Sequence, residues 1–181
     1  MEPDWVGEVL EFWFQQLGAA DWFAKSESVD ARIRQRFLQR HAAVLASSGR
    51  GISGPRPSLA AVIVLDQFSR HLFRNRPQAY AADPLARRLA RDAIARGDDR
   101  TMPHQERLFL YLPFEHSEDP QDQALSVTLI GQLGHDDWTR FALAHQVIID
   151  RFGRFPHRND VLGRMSTEAE LALLKDSMGS F

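Results

Sequence analysis

The segment from Leu59 to Phe73 restricts the fold more than any other part of the chain. Wound at about 100° per residue, it gathers Leu59, Val62, Ile63, Asp66, Arg70 and Phe73 into one narrow arc, while Ala61, Leu65, Phe68 and Leu72 cover much of the opposite side. A helix that is apolar nearly all round must be enclosed by other elements, which predicts a central helix with neighbours on several sides. Ser58 is its predicted N-cap. Taken alone, the early apolar run also fits a buried strand; the length of the whole segment favours a helix.

The rest of the chain is punctuated like a set of helices. A first helix is predicted from about Asp4 to Leu17, with Val6, Leu10, Trp13 and Leu17 on its stripe, Asp4 as cap and Gly18 as stop. Trp22 and Phe23 lie in a short aromatic link, and Val29, Ile33, Phe37 and Val44 mark a second helix ending near Gly49. Gly49 to Pro57 reads as the longest loop. Asp83 before Pro84 opens a fourth helix that Gly97 closes, and a fifth fits Pro103 to Leu112. Asp119 before Pro120 repeats the start signal for a sixth, closing at Gly134. Trp138, Phe141, His145, Ile148 and Phe152 draw the stripe of a seventh, which Gly153 ends. Thr167 with Glu170 forms a capping box for a short last helix. No segment alternates apolar and polar residues over strand length, so the expected fold class is all-α, about eight helices packed as antiparallel pairs.

Composition removes several function classes. A chain of 181 residues is expected to form a single helical domain, residues 1–181. The net charge of -2 argues against a surface that tracks nucleic-acid phosphates. With no cysteine there is no disulfide framework, thiolate nucleophile or thiolate metal site, which fits a cytoplasmic location. The opening MEPDWVGEVLEFWF begins acidic and lacks a positive n-region, so it does not read as a signal peptide, and no apolar run approaches the ~20 residues of a membrane span. The four tryptophans read first as core.

Three groups of polar residues exceed what a plain helical protein needs. Asp66 and Arg70, an i,i+4 pair on the central helix, fit either an ion pair that satisfies itself or an aspartate orienting a guanidinium toward a ligand. The predicted loop Leu112 to Asp119 sets His116 among Glu115, Ser117, Glu118 and Asp119, which serves either to cap the following helix or to line a site. One His-x-Glu pair is not a metal motif, and no metal site is expected. In the third group, Phe152 to Asn159, Arg154, His157 and Arg158 follow the end of a helix. The helix dipole accounts for one or two of these cations; three of them between Phe152 and Phe155 also suit a carboxylate or phosphate. His145, alone on an apolar face, reads as a satisfied core histidine.

The ordered set VLEFWF (Val9 to Phe14), WF (Trp22, Phe23), LDQFSRHLFR (Leu65 to Arg74), LPFEHSE (Leu112 to Glu118), FGRFPHRN and LGR (Leu162 to Arg164) resembles the family catalogued as Domain of Unknown Function 924. The resemblance covers nearly the whole chain and implies a tetratricopeptide-like array of helix pairs, with no established activity. Ser69 stands where the family motif typically has proline, and His71 where it typically has asparagine. The serine is expected to regularise the central helix, since proline interrupts helical hydrogen bonding.

Two function classes follow. One is a site for a small anionic ligand, formed by Asp66, Arg70, His116, Glu118, Arg154, His157 and Arg158, with His116 or His157 handling a proton. The other is an interaction module whose groove receives a peptide, the same charged residues acting as structural pins. No Gly-x-Ser-x-Gly elbow, phosphate-cradling glycine loop or dinucleotide fingerprint is present, so no cofactor and no named reaction is implied.

Overall fold

The computed structural model describes residues 2–175. Among these residues every regular element is helical. The α-helices are α1 (Asp4–Glu11), α2 (Ala19–Trp22), α3 (Glu27–Ala46), α4 (Pro55–Val62), α5 (Phe68–Leu72), α6 (Gln78–Ala81), α7 (Asp83–Arg96), α8 (His104–Glu115), α9 (Pro120–Gly131), α10 (Asp136–Phe152) and α11 (Glu168–Lys175). Wider π-helical turns occupy Phe12–Gln16 after α1 and Ile63–Gln67 between α4 and α5, and 3-10 turns occupy Asp98–Thr101 and Pro156–Arg158.

The chain forms two compact units. The first comprises the residues up to Arg74 together with Gln78–Pro113; the second comprises Asn75–Pro77 and the chain from Phe114 onward. In the first unit the central segment is enclosed as its composition demands: Leu59, Ile63, Leu65 and Phe68 are fully buried. Rings interlock around it, with Phe12 against Phe37 at 5.1 Å, Phe37 against Phe68 at 4.9 Å and Trp13 edge-on to Phe109 at 5.4 Å. Each such buried ring stabilises the fold by roughly 2 to 3 kcal/mol from apolar area alone. Trp22 closes the cluster by donating its indole N–H to the Trp13 carbonyl at 2.8 Å. Trp5 and Trp138 depart from the core expectation and are only half-buried, the latter stacked on His135 at 4.1 Å.

Several caps differ from the predicted ones. Pro3, not Asp4, precedes α1, and α4 begins at Pro55 behind Gly54, which leaves Ser58 inside the helix accepting a hydrogen bond from Arg96 at 3.0 Å. Helix α8 runs through Pro113 to Glu115, where the sequence predicts a stop at Leu112. The carbonyls at that end are met from outside, because Gln123 Nε2 donates to Glu115 O at 2.7 Å and Ser117 O at 2.6 Å. Other boundaries match their local signals. Asp119 accepts from the Gln121 amide at 2.8 Å, and Gly153 ends α10 in the left-handed region at φ 68°. Thr167 and Glu170 exchange the reciprocal bonds of a capping box, at 3.2 and 2.7 Å.

Candidate functional site

Asp66 and Arg70 lie in the first unit. Asp66 is fully buried on the π turn, where Gln67 donates to it at 2.6 Å. Arg70 Nη2 lies 3.6 Å from Asp66, but its bidentate partner is Asp83, reached at 2.5 and 2.9 Å, and Nη1 also donates to Ala79 O at 2.8 Å. Asp83 looked like a helix cap, since it precedes Pro84; instead it is the chief anchor of Arg70. Burial works against the guanidinium charge, yet the fields of Asp66 and Asp83 raise the Arg70 pKa and keep it charged.

The same helix contains Ser69 and His71, the two residues expected to depart from the resembled motif. The Ser69 hydroxyl donates to Leu65 O, so its second contact, His41 Nε2 at 2.8 Å, is a donor to the serine oxygen and not a base for it. Nor does the serine regularise the helix, which keeps a π turn over Ile63–Gln67 immediately before it. His71 Nδ1 meets Asp30 at 2.7 Å, a carboxylate that also takes both Nε and Nη2 of Arg74.

The other candidates belong to the second unit, and they divide into two sets. The first set clamps backbone. Glu118 takes both guanidinium nitrogens of Arg164 at 2.8 and 2.9 Å and the Phe155 amide at 2.8 Å, while Arg164 also donates to Phe155 O at 3.0 Å. The backbone N–H and C=O of Phe155 are thus both held. Burial alone would raise the Glu118 pKa, but the bonds from Arg164 and Phe155 hold it below the usual range. Arg154 is engaged in a similar way: Nε and Nη2 reach Glu170 at 2.6 and 2.8 Å, and Nη2 also reaches Met165 O at 2.9 Å. The bond from Arg154 is the largest reason that the Glu170 pKa falls to about 2.

The second set surrounds the fully buried Phe155 ring. Arg158 lies over it at 4.5 Å, His157 at 5.6 Å and His145 edge-on at 5.6 Å; His116 follows at 6.3 Å from His145. His145 is buried, and its Nδ1 donates to Phe141 O at 2.9 Å, with Glu115 Oε1 at 3.3 Å. A carbonyl can only accept, so Nδ1 carries the proton of the neutral ring and Nε2 the lone pair. Burial first, and then the charges of His116, His157 and Arg158, push the His145 pKa down to about 3 against the opposing Phe141 carbonyl. His145 was missing from the sequence-derived site because a lone histidine on an apolar stripe is ordinarily core; its neighbours His116, His157 and Arg158 come from other segments. Arg164 and Glu170 were legible only as part of the LGR motif and of a capping box, because their ion-pair partners lie 46 and 16 residues away.

A family model described as "Bacterial protein of unknown function (DUF924)" matches residues 9–178. The chain belongs to that family. A solved structure, that of a protein of unknown function from Agrobacterium tumefaciens, is 38% identical with a TM-score of 0.88, covering 94% of this chain and 96% of that one. No match was found among curated proteins. In this member of the DUF924 family the motifs LPFEHSE, FGRFPHRN and LGR meet at the Phe155 backbone.

Proposed function

We propose that the second unit binds a small anion, a phosphate or carboxylate, at the cluster of His116, His145, His157 and Arg158. One observation carries this reading: His145, His157 and Arg158 lie around the clamped Phe155 ring, and His116, from a third segment, lies beside His145. An anion there gains charge-assisted hydrogen bonds beside an apolar wall that excludes water. His145, held neutral, accepts a hydrogen bond from a protonated ligand oxygen, while Arg158 supplies the fixed positive charge. Arg154 and Glu118, so fully engaged by Glu170 and Arg164, act as positioning residues.

The competing reading is a peptide groove of a tetratricopeptide-like array, in which charged residues serve as pins. The Arg154–Glu170 and Arg164–Glu118 pairs favour it to that extent. Inorganic phosphate titrated at constant ionic strength separates the two, with Tm and histidine ring resonances as readouts. Binding to the folded state alone raises Tm by mass action and moves the His116 and His157 resonances. Both responses vanish in Arg158→Gln and weaken in His157→Asn. Equal responses in wild type and variants, or none in any of them, overturn the anion site.

A further inference from the structure

A cavity of about 500 Å³ opens in the first unit, between the start of α1, the last turns of α3 and the turn that leads into α4. It lies within the range of small-molecule sites, roughly 300 to 1,000 Å³. Its walls combine an apolar side, Trp5, Val44 and Ile52, with two arginines, Arg40 and Arg50. Arg40 is held over the Trp5 ring at 5.2 Å, which orients its guanidinium.

The charge of the wall is unbalanced. Arg56, Arg70, Arg74, Arg88, Arg96, Arg154 and Arg164 each hold a carboxylate. Among the described residues Arg40 and Arg50 hold none. The acid on this wall, Glu2, has both oxygens at 3.2 Å from Arg56 Nε, so its charge is already matched. The wall is also preformed. Ser47 Oγ donates to Val44 O at 2.9 Å and accepts from Gly49 N at 3.1 Å, and Ile52 N is bonded to Gly49 O at 3.2 Å. Gly51 and Gly54, at φ 77° and 93°, supply the left-handed backbone that curls this turn around the opening.

We propose that this cavity binds a small organic anion, a carboxylate or phosphate monoester with an apolar body, the acid group meeting Arg40 and Arg50 and the body lying against Trp5, Val44 and Ile52. A bare inorganic ion fills only a small part of such a space and leaves the apolar wall wet, so the organic body is part of the recognition. The site is separate from the Phe155 cluster and stands or falls without it.

Phenyl phosphate is the probe, with inorganic phosphate and phenol as its two halves. Binding is followed by calorimetry and by the indole N–H resonance of Trp5. Read at the Trp5 resonance, phenyl phosphate is expected to bind at least about tenfold more tightly than either half, whatever its effect on His116 and His157. Arg40→Gln and Arg50→Gln, both at solvent-accessible positions, each weaken phenyl phosphate about tenfold and leave phenol unchanged. No shift of the Trp5 resonance up to about 10 mM, inorganic phosphate shifting it at as low a concentration as phenyl phosphate, or variants whose Trp5 shift matches wild type would each overturn the proposal.

Discussion

The two units treat a buried ionisable side chain in opposite ways. In the first, Arg70 is flanked by two carboxylates, Asp66 and Asp83, and stays charged although it is largely buried. In the second, burial above all keeps His145 neutral, assisted by the fields of His116, His157 and Arg158, although Glu115 Oε1 lies 3.3 Å from its Nδ1. Arg70 binds its helix to the start of α7 through matched charge, which is a structural use of a buried ion. The first is a charged group kept charged, and the second a titratable group kept neutral.

That contrast predicts its largest effect at Arg70. Arg70→Ala strips Asp66 and Asp83 of their common guanidinium and should lower unfolding free energy by about 3 to 5 kcal/mol in urea titration. A loss below about 1 kcal/mol would mean that the pair holds nothing together. Asp83→Asn should reproduce much of the loss, since Asp83 holds the closer contacts.

The next effect is a pH dependence, and its sign follows from linkage. Unfolded histidine takes up its proton near pH 6.5, whereas folded His145 does so only at about 3. Between these values the unfolded chain binds more protons, so stability is full above pH 6.5 and falls toward pH 3. The slope at its steepest is about 1.4 kcal/mol per pH unit. His145→Gln retains a donor for Phe141 O and should flatten this part of the profile. An unchanged profile would place the acid sensitivity elsewhere.

Glu170 gives a smaller effect in a lower window. Its carboxylate both closes the Thr167 capping box and binds Arg154, so Glu170→Ala should cost about 1 to 2 kcal/mol through the lost cap. Because its folded pKa is depressed from 4.5 to about 2, the stabilisation it provides is present above pH 4.5 and is lost as pH falls toward 2. Circular dichroism melts at pH 7 and pH 3 on wild type and Glu170→Gln would expose that difference; identical pH dependence in the two proteins would count against it. The smallest change is expected at Arg88 and Asp92, an i,i+4 pair about half exposed on each side. Arg88→Gln should alter the Arg88–Asp92 coupling, measured by a double-mutant cycle, by no more than about 0.5 kcal/mol.

Local features were legible in the chain before any packing was known. The stop at Gly153, the cap at Asp119 and the Thr167–Glu170 box all lie within one helical turn of the residues they affect, so nearest-neighbour chemistry specifies them. The enclosure of Leu59 to Phe73 was legible for a related reason: a helix without a polar face has only buried solutions. Local reasoning failed where a distant group outbid the neighbour. Asp83 was read as a cap from the proline beside it and became the partner of Arg70, and α8 passed its proline because Gln123, from the next helix, met its last carbonyls.

By itself, then, the sequence determined the helical class, most helix ends and the burial of the central segment. Tertiary structure decided which charge meets which. It paired Arg70 with Asp83, Arg154 with Glu170 and Arg164 with Glu118, separations of 13, 16 and 46 residues, and it brought His145 to Phe155. A cap or a stop depends on a backbone conformation that neighbouring residues set, whereas an ion pair depends on where two side chains arrive once the apolar faces have packed, and the same arginine reads identically in the chain whether it ends against a carboxylate or against an aromatic ring.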